Sequence, residues 1–180
     1  HRDLHSFPTR RSSDLHITKQ TDFKITAGPF AGNPKADVTK YIFDAFRQQG
    51  FMIGAYFSKP DWHTEYYWWP KYATADRNNN YDIKKYPTRW QQYKDFTHNQ
   101  IGELMHNYGK VDILWLDGGW VRPRETVNAE VLSWGARIPE WSQDIEMPKI
   151  AAMARKAQPG IYMEIGDRKS TRLNSSHPYR

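Results

Sequence analysis

Two patterns of apolar residues alternate along the chain. In the first, apolar residues recur at the spacing of one face of an α-helix. This pattern predicts helices over residues 34–49, 87–107 and 148–157. In the second, apolar residues follow one another over a length typical of a strand. This pattern predicts strands in FMIGAYFS (51–58), VDILWL (111–116) and IYMEI (161–165).

The boundaries of the first helix are marked by residues with strong positional preferences. Asn33 is a suitable N-cap, Pro34 suits the first helical position, and Gly50 suits the position after the helix. The strands that follow the helices show no alternation of polar and apolar residues. We therefore predict that they are buried on both faces, as in parallel sheets.

The repeated order of helix, short loop and strand predicts an α/β fold with a parallel sheet. The loops before the strands are short, whereas those after them are long and aromatic. In (β/α) barrels the active site lies at the carboxyl ends of the strands, in the loops that follow them. We therefore predict part of a (β/α)8-like, TIM-type barrel catalytic domain, incomplete in this chain. A doubly wound open sheet is the alternative, but no GxGxxG or phosphate-binding loop supports it.

Composition narrows the classes of ligand. Aromatic residues make up 15% of the chain, including eight Trp and eleven Tyr, as in surfaces that stack on sugars; a Trp-rich core is the alternative. The absence of Cys excludes disulfides and thiolate sites. No apolar run approaches the roughly 20 residues that span a bilayer, so no membrane partner is predicted.

The net charge of +6 comes mostly from the two ends of the chain. HSFPTRRSSDL (5–15) and DRKSTRLNSSH (167–177) both match translations of common sequencing-adapter DNA. We therefore predict that residues 1–15 and 167–180 are adapter-derived and disordered, and that residues 16–166 are a fragment of a catalytic barrel. The two ends carry net charges of +1 and +3, which leaves about +2 for the interior. This balance predicts no nucleic-acid partner.

One carboxylate stands out in the stretch VDILWLDGGW (111–120). Asp117 ends a predicted strand, the two glycines after it leave its side chain uncovered, and Trp115 and Trp120 supply flat apolar walls. Such a group could be a nucleophile at a glycosyl centre, a general base, a metal ligand or a helix N-cap. The cap is disfavoured because Gly-Gly-Trp-Val-Arg-Pro follows instead of a helix start.

Three motifs together resemble glycoside hydrolase family 29, the α-L-fucosidases. They are VDILWLDGGW, GAYFSKPDWH (54–63) and TKQTDFKIT (18–26), and the resemblance covers nearly all of residues 16–160. It implies a barrel-like catalytic domain that removes terminal α-L-fucose with retention, through a covalent intermediate on Asp117. The implied partner is a fucosylated glycan, with no cofactor and no metal. The family also implies a secreted, periplasmic or bacterial envelope-associated protein.

The resemblance implies a substrate-binding role for five aromatic residues around Asp117. Tyr56 corresponds to a strand-end tyrosine near the nucleophile, and Trp115 points to the same side of its strand as Asp117. Trp62 could stack on the sugar, His63 could bond a hydroxyl group, and Trp120 could form a wall of the pocket. Packing within the core or the loops is the alternative for these side chains.

Two parts of the family pattern are missing. The His-His-Asp-Gly-Phe stretch that binds fucose hydroxyls would precede Thr18, and His16 does not replace it. The resemblance places the general acid/base beyond Gly166. Within the chain, Glu164 is the best-placed candidate, because it lies near a strand end. The chain alone is therefore predicted to be inactive.

The residues leave other functions open. Another retaining barrel glycosidase, similar to an α-galactosidase, would use the same kind of nucleophile. A carbohydrate-binding barrel without catalysis would also explain the aromatic loops. A metal enzyme is disfavoured, because the histidines lack HExxH spacing and DRNNNYD (76–82) lacks the glycine and terminal glutamate of a calcium-binding loop.

Overall fold

The computed structural model describes residues 15–69, 78–133 and 138–165. The helices are α1 (Val38–Gln48), α2 (Pro87–Asn107), α3 (Ala129–Ser133) and α4 (Met147–Ala157), and the strands are β1 (Gly54–Ser58), β2 (Ile113–Asp117) and β3 (Tyr162–Ile165). Short 3-10 helices cover Ile25–Ala27 and Arg124–Thr126. The predicted disorder of residues 1–15 and 167–180 falls outside the described residues, apart from Leu15. No helix in the described part of the chain is both long and apolar enough to cross a bilayer.

The three strands form one parallel sheet in the order β1-β2-β3. Gly54 pairs with Ile113, and Ile113 pairs with Tyr162, so the strands run in step from their first residues. Helix α2 connects β1 to β2, and helix α4 lies between β2 and β3. The predicted α/β class and parallel sheet are confirmed.

Among the described residues the sheet is covered on one face only, whereas the sequence predicts strands buried on both faces. Ala55 and Phe57 of β1 and Leu114 and Leu116 of β2 are at most 4% exposed and belong to the core. The side chains between them point to the opposite face, because successive residues of a strand alternate. Buried residues of helices α2 and α4 belong to the same core as these four strand residues. The second face remains open among the described residues, and it is the face that carries Asp117.

Helix α2 supplies much of the core. Its limits agree with the predicted range, with Pro87 at the start and Gly109 at a φ of 71° just beyond the end. One face of this helix packs beneath the sheet, and its buried residues are Trp90, Tyr93, Phe96, Thr97, Gln100, Ile101, Leu104 and Met105. Helix α4 contacts α2 and completes the layer with Ile150 and Ala154. The core therefore holds the sheet in position from one side.

Helix α1 begins four residues later than predicted. The side chain of Asp37 accepts a hydrogen bond from the backbone N–H of Lys40, so Asp37 is the N-cap. Asn33 instead accepts from the N–H of Lys35, at 2.8 Å, and closes a separate turn. Both residue types compete for nearby backbone donors, which is why sequence alone favoured the wrong one. The predicted end is confirmed, since Gly50 has a φ of 78°.

Most of the apolar face of α1 lies outside the core. No residue of this helix is buried, and Ile42 and Phe46 are about half exposed. Polar contacts hold the helix in place, because the Arg47 guanidinium donates to the carbonyl oxygens of Tyr108 and Lys110 at 2.7 and 3.0 Å. The amphipathic spacing found in the sequence is therefore real, but the described residues cover its apolar side only in part, where Phe43 packs against the core.

Candidate active site

Strands β1 and β2 end side by side and bring two predicted site residues together. Asp117 pairs with Ser58 at the carboxyl edge of the sheet, and Tyr56 lies two residues earlier on the same face. The Tyr56 hydroxyl donates to Asp117 Oδ2 at 2.7 Å. The N–H of Gly118 donates to Asp117 Oδ1, also at 2.7 Å. Each carboxylate oxygen therefore has its own donor, which fixes the orientation of the group.

The Tyr56 hydroxyl remains a donor over a wide pH range. Partial burial, followed by the hydrogen bond to Asp117, raises the pKa of Tyr56 above its ordinary value, because both favour the neutral phenol. The ring is nevertheless 41% exposed on the open face of the sheet. Tyr56 thus combines a fixed contact to the carboxylate with a ring edge that a ligand could touch.

A tight turn after Asp117 holds the carboxylate at the edge of the sheet. Gly118 has a φ of +84°, and a Cβ atom built on it would lie 2.4 Å from Cδ of Pro60. The N–H of Lys59 also donates to the carbonyl of Asp117, at 3.0 Å. Glycine is required here for two reasons, the left-handed backbone and the close approach of Pro60. The sequence signal, a glycine directly after the strand, does not reveal this contact with Pro60.

Two further predicted residues lie on the open face. Trp115 pairs with Tyr56 on one side and with Glu164 on the other, so the three residues form one row across the sheet. The Trp115 ring is 40% exposed. The Tyr162 hydroxyl donates to Glu164 Oε2 at 2.9 Å. From strand geometry, the Cα atoms of Glu164 and Asp117 are diagonal neighbours about 8 Å apart.

Trp62 and His63 lie in the loop after β1 and pack on other aromatic rings. The carboxylate of Asp61 accepts hydrogen bonds from the N–H groups of His63 and Thr64 and closes a turn. The His63 ring stacks on Phe23 with centroids 3.6 Å apart, and Trp62 stacks on Trp68 at 6.0 Å. The contacts that the structure shows for these two rings are therefore within the loops. Their predicted role in sugar binding stays a prediction.

Trp120, the last of the predicted residues, is half-buried in the loop after β2. Its indole Nε1 is buried without a hydrogen-bond partner among the described residues. Its carbonyl oxygen lies 3.4 Å from Nε2 of Gln143. The position of Trp120 is thus set through its backbone, by a residue that follows it in the same long loop.

Gln143 joins the loop after β1 to the loop after β2, and sequence analysis did not single it out. Its Nε2 donates to Asn78 Oδ1 at 2.8 Å as well as contacting Trp120, and its Oε1 accepts from the Tyr67 hydroxyl and the Asn79 N–H. The side chain is only 1% exposed. A single glutamine in a polar loop carries no pattern, so only the structure reveals it.

We expect Gln143→Leu to destabilise the protein by about 2–3 kcal/mol, because the substitution leaves several buried polar partners unpaired. The matched control is Gln100→Leu. Gln100 is also 1% exposed, and its Nε2 has no partner among the described residues. The free energy of unfolding of Gln100→Leu should therefore fall by less than about 1 kcal/mol. Urea unfolding followed by tryptophan fluorescence measures both. Equal losses for the two variants would show that Gln143 is not a special link between the loops.

The described residues at this edge combine one carboxylate with aromatic side chains. No three His, Asp or Glu side chains within the described ranges lie close enough together to hold a metal ion. The site instead contains a fixed carboxylate, a phenol that donates to it and exposed aromatic surfaces. These groups suit nucleophilic attack on an electrophilic carbon of a ligand that packs on aromatic rings.

Comparisons with known proteins point to one family. The family model for α-L-fucosidase matches residues 13–180 of the chain. A comparison with curated protein sequences finds no match.

Solved structures with similar folds include several fucosidases. α-L-fucosidase isoenzyme 1 from Paenibacillus thiaminolyticus is 26% identical, with a TM-score of 0.57 over 86% of this chain and 32% of that chain. A bacterial fucosidase solved with a pyrrolidine inhibitor is 19% identical, with a TM-score of 0.58 over 85% of this chain and 28% of that chain. A family 29 α-L-fucosidase from Bacteroides thetaiotaomicron, trapped as a covalent intermediate, is 21% identical, with a TM-score of 0.58 over 83% of this chain and 27% of that chain. The chain spans about a third of the length of these enzymes.

Proposed function

Because the chain belongs to the α-L-fucosidase family, we propose that it is part of a retaining glycoside hydrolase that removes terminal α-L-fucose from oligosaccharides or glycoconjugates. The observation that carries this proposal is the carboxylate of Asp117, held at the carboxyl end of a parallel strand by Tyr56 and by the N–H of Gly118. A nucleophile needs such a fixed orientation, because attack on a carbon atom depends on alignment.

The proposed reaction proceeds in two steps through Asp117. In the first, a carboxylate oxygen attacks the anomeric carbon while a second carboxyl group gives its proton to the leaving oxygen, so a glycosyl ester forms. In the second, the same group takes a proton from water, which attacks the anomeric carbon and releases fucose and the free carboxylate. Similarity to an enzyme trapped as a covalent intermediate supports this scheme. Tyr56 keeps its proton throughout and orients Asp117.

The second carboxyl group belongs at or beyond the end of β3. Retention requires the two carboxyl groups to be about 5–5.5 Å apart. Among the described residues, Glu164 is the candidate, because it lies on the open face of the strand next to Asp117. A Cα separation of about 8 Å allows two facing side chains to meet that requirement. The family pattern favours a glutamate after Gly166 for the same role.

The open face of the sheet supports the proposed barrel. In a closed (β/α)8 barrel, one face of every strand points to the interior, and active-site residues lie at the carboxyl ends. Here Tyr56, Trp115 and Glu164 lie on the face that the helices leave uncovered, and Asp117 lies at its carboxyl edge. We propose that this sheet is three neighbouring strands of such a barrel, with its open face toward the interior.

Aromatic surfaces around Asp117 suit a 6-deoxy sugar. The exposed rings of Tyr56 and Trp115 offer apolar contact for the ring and the C6 methyl group of fucose, and burial of a methyl group favours it over a hydroxymethyl group. We propose that Trp62, His63 and Trp120 complete the pocket from the loops.

The test is a side-by-side assay of the full-length protein that carries this chain. We expect hydrolysis of 4-nitrophenyl α-L-fucoside at least about tenfold faster, in kcat/KM, than hydrolysis of 4-nitrophenyl α-D-galactoside, because an apolar pocket for the methyl group alone is worth about that much and the two sugars also differ in absolute configuration. Proton NMR of the first product should show the α-anomer. Preference for the galactoside would favour the related glycosidase, and binding of fucose without turnover would favour a carbohydrate-binding protein.

A further inference from the structure

Tyr93 of helix α2 is a buried tyrosine whose hydroxyl group bonds the backbone of the loop after β1. The residue is 0% exposed. Its hydroxyl donates to the carbonyl of Lys59 and accepts from the N–H of Asp61, the latter at 2.9 Å. One oxygen atom therefore bridges the two ends of the segment Lys59-Pro60-Asp61, which we call the β1 corner.

The β1 corner is also the part of the chain that touches the backbone of Asp117. The N–H of Lys59 donates to the Asp117 carbonyl at 3.0 Å. Pro60 lies so close to Gly118 that a Cβ atom there would meet its Cδ at 2.4 Å. The peptide bond between Asp117 and Gly118 joins the residue with the carboxylate to the N–H that donates to it. A displacement of the corner therefore moves both groups.

The Tyr93 hydroxyl has little freedom to move. Its ring packs against Tyr67, Trp90 and Phe96, with centroids 5.0, 5.1 and 6.4 Å away. The corner that it holds is equally enclosed, since Lys59 is 1% exposed and Asp61 is 7% exposed. Because protein interiors are close-packed and deform little, the fixed position of the Tyr93 side chain also fixes the position of the corner that it bonds.

We propose that Tyr93 is a positioning residue for the nucleophile, which acts through the β1 corner to hold Asp117 in its attacking orientation. The inference rests on the proposed function, because it takes Asp117 to be the attacking group. Tyr93 touches no reacting atom. Its contribution is to keep the corner at a fixed distance from helix α2, so that Lys59 and Pro60 hold the turn after β2 in place.

The first experiment uses Tyr93→Phe in the full-length protein that carries this chain. The ring and its packing remain, but the corner loses its bridge. We expect kcat for 4-nitrophenyl α-L-fucoside to fall roughly tenfold or more with KM changed less than about twofold, because a small misplacement of the nucleophile costs rate rather than ground-state binding.

The matched control is Tyr81→Phe. Tyr81 is 5% exposed, and its hydroxyl also donates to a backbone carbonyl, that of Tyr66, but not to the β1 corner. We expect kcat of the control to stay within about twofold of the parent protein. A similar fall in kcat for both variants, or a change of Tyr93→Phe in KM alone, would overturn the positioning role.

A second measurement is independent of activity. In the 180-residue chain, amide hydrogen exchange at Lys59 and Gly118 should become at least about tenfold faster in Tyr93→Phe and stay unchanged in Tyr81→Phe. Unchanged protection of both amides in Tyr93→Phe would contradict the inference, whatever the activity assay shows. If the full-length protein does not hydrolyse the fucoside, the proposed function fails, while the exchange data still decide whether Tyr93 holds the turn.

Discussion

Asp117→Ala in the full-length protein that carries this chain is expected to reduce kcat for 4-nitrophenyl α-L-fucoside by at least ~10³-fold, because the covalent intermediate can no longer form. The substitution also frees the Tyr56 hydroxyl and the N–H of Gly118, which both bond to the carboxylate. The space left by the carboxylate then faces the anomeric carbon. Initial rates over a range of substrate concentrations measure the effect.

Azide distinguishes a lost nucleophile from a disturbed fold. Azide can enter the space left by the side chain, attack the anomeric carbon and displace the aryl leaving group. The product is then fucosyl azide of inverted configuration, and its formation should restore turnover. Asp112→Ala is the control, since Asp112 lies directly before β2 and its carboxylate accepts from the N–H of Ile53 at the opposite end of that strand. Full activity of Asp117→Ala without azide would remove Asp117 from the mechanism.

The second large effect is expected from Gly118→Ala. The added Cβ must occupy a left-handed backbone position and would lie 2.4 Å from Pro60, so the turn or the β1 corner has to move. We expect a loss of about 2–4 kcal/mol in the free energy of unfolding, of which backbone strain supplies about 1–2 kcal/mol. We also expect kcat to fall at least about tenfold, since the moving peptide bears the donor to Asp117.

Gly160→Ala separates strain from contact. Gly160 has the same φ of +84°, but a Cβ atom there would meet nothing within 4 Å, so only the strain remains. The free energy of unfolding of Gly160→Ala should fall by about 1–2 kcal/mol, with kcat unchanged. Denaturant midpoints and kcat of the two variants provide the comparison. If both variants lose the same stability and keep full activity, the contact with Pro60 is not important for the site.

The elements with an unambiguous pattern were predictable from sequence. Helix α2 carries apolar residues at regular spacing between Pro87 and Gly109, and both limits are confirmed. The strand before Asp117 was found because an uninterrupted apolar run ends in one carboxylate and a glycine. Family membership was found from the same residues, since they form the motif that the resemblance uses. The family resemblance led us to expect Tyr56 near Asp117, and the hydrogen bond between the two side chains agrees with that expectation.

Features that depend on distant partners were not predictable. A strand rich in apolar residues does not reveal which face is covered, so the open face that carries Trp115 was missed. Asn33 and Asp37 are both good caps, and the backbone donors around them decided the start of α1. Tyr93 appeared only as one more apolar position of a helix. Its hydroxyl gained a role because residues 32 to 34 positions earlier fold back over it.

The order of the strands has a consequence for how the molecule opens. Asp117 ends β2, which is the central strand of the sheet in the described residues, with a neighbour on each side. Local unfolding begins at the borders of a sheet, where fewer hydrogen bonds must break, and reaches a central strand last. The proposed nucleophile therefore lies on the strand of the described sheet that opens last, and its backbone stays fixed while the outer strands begin to separate.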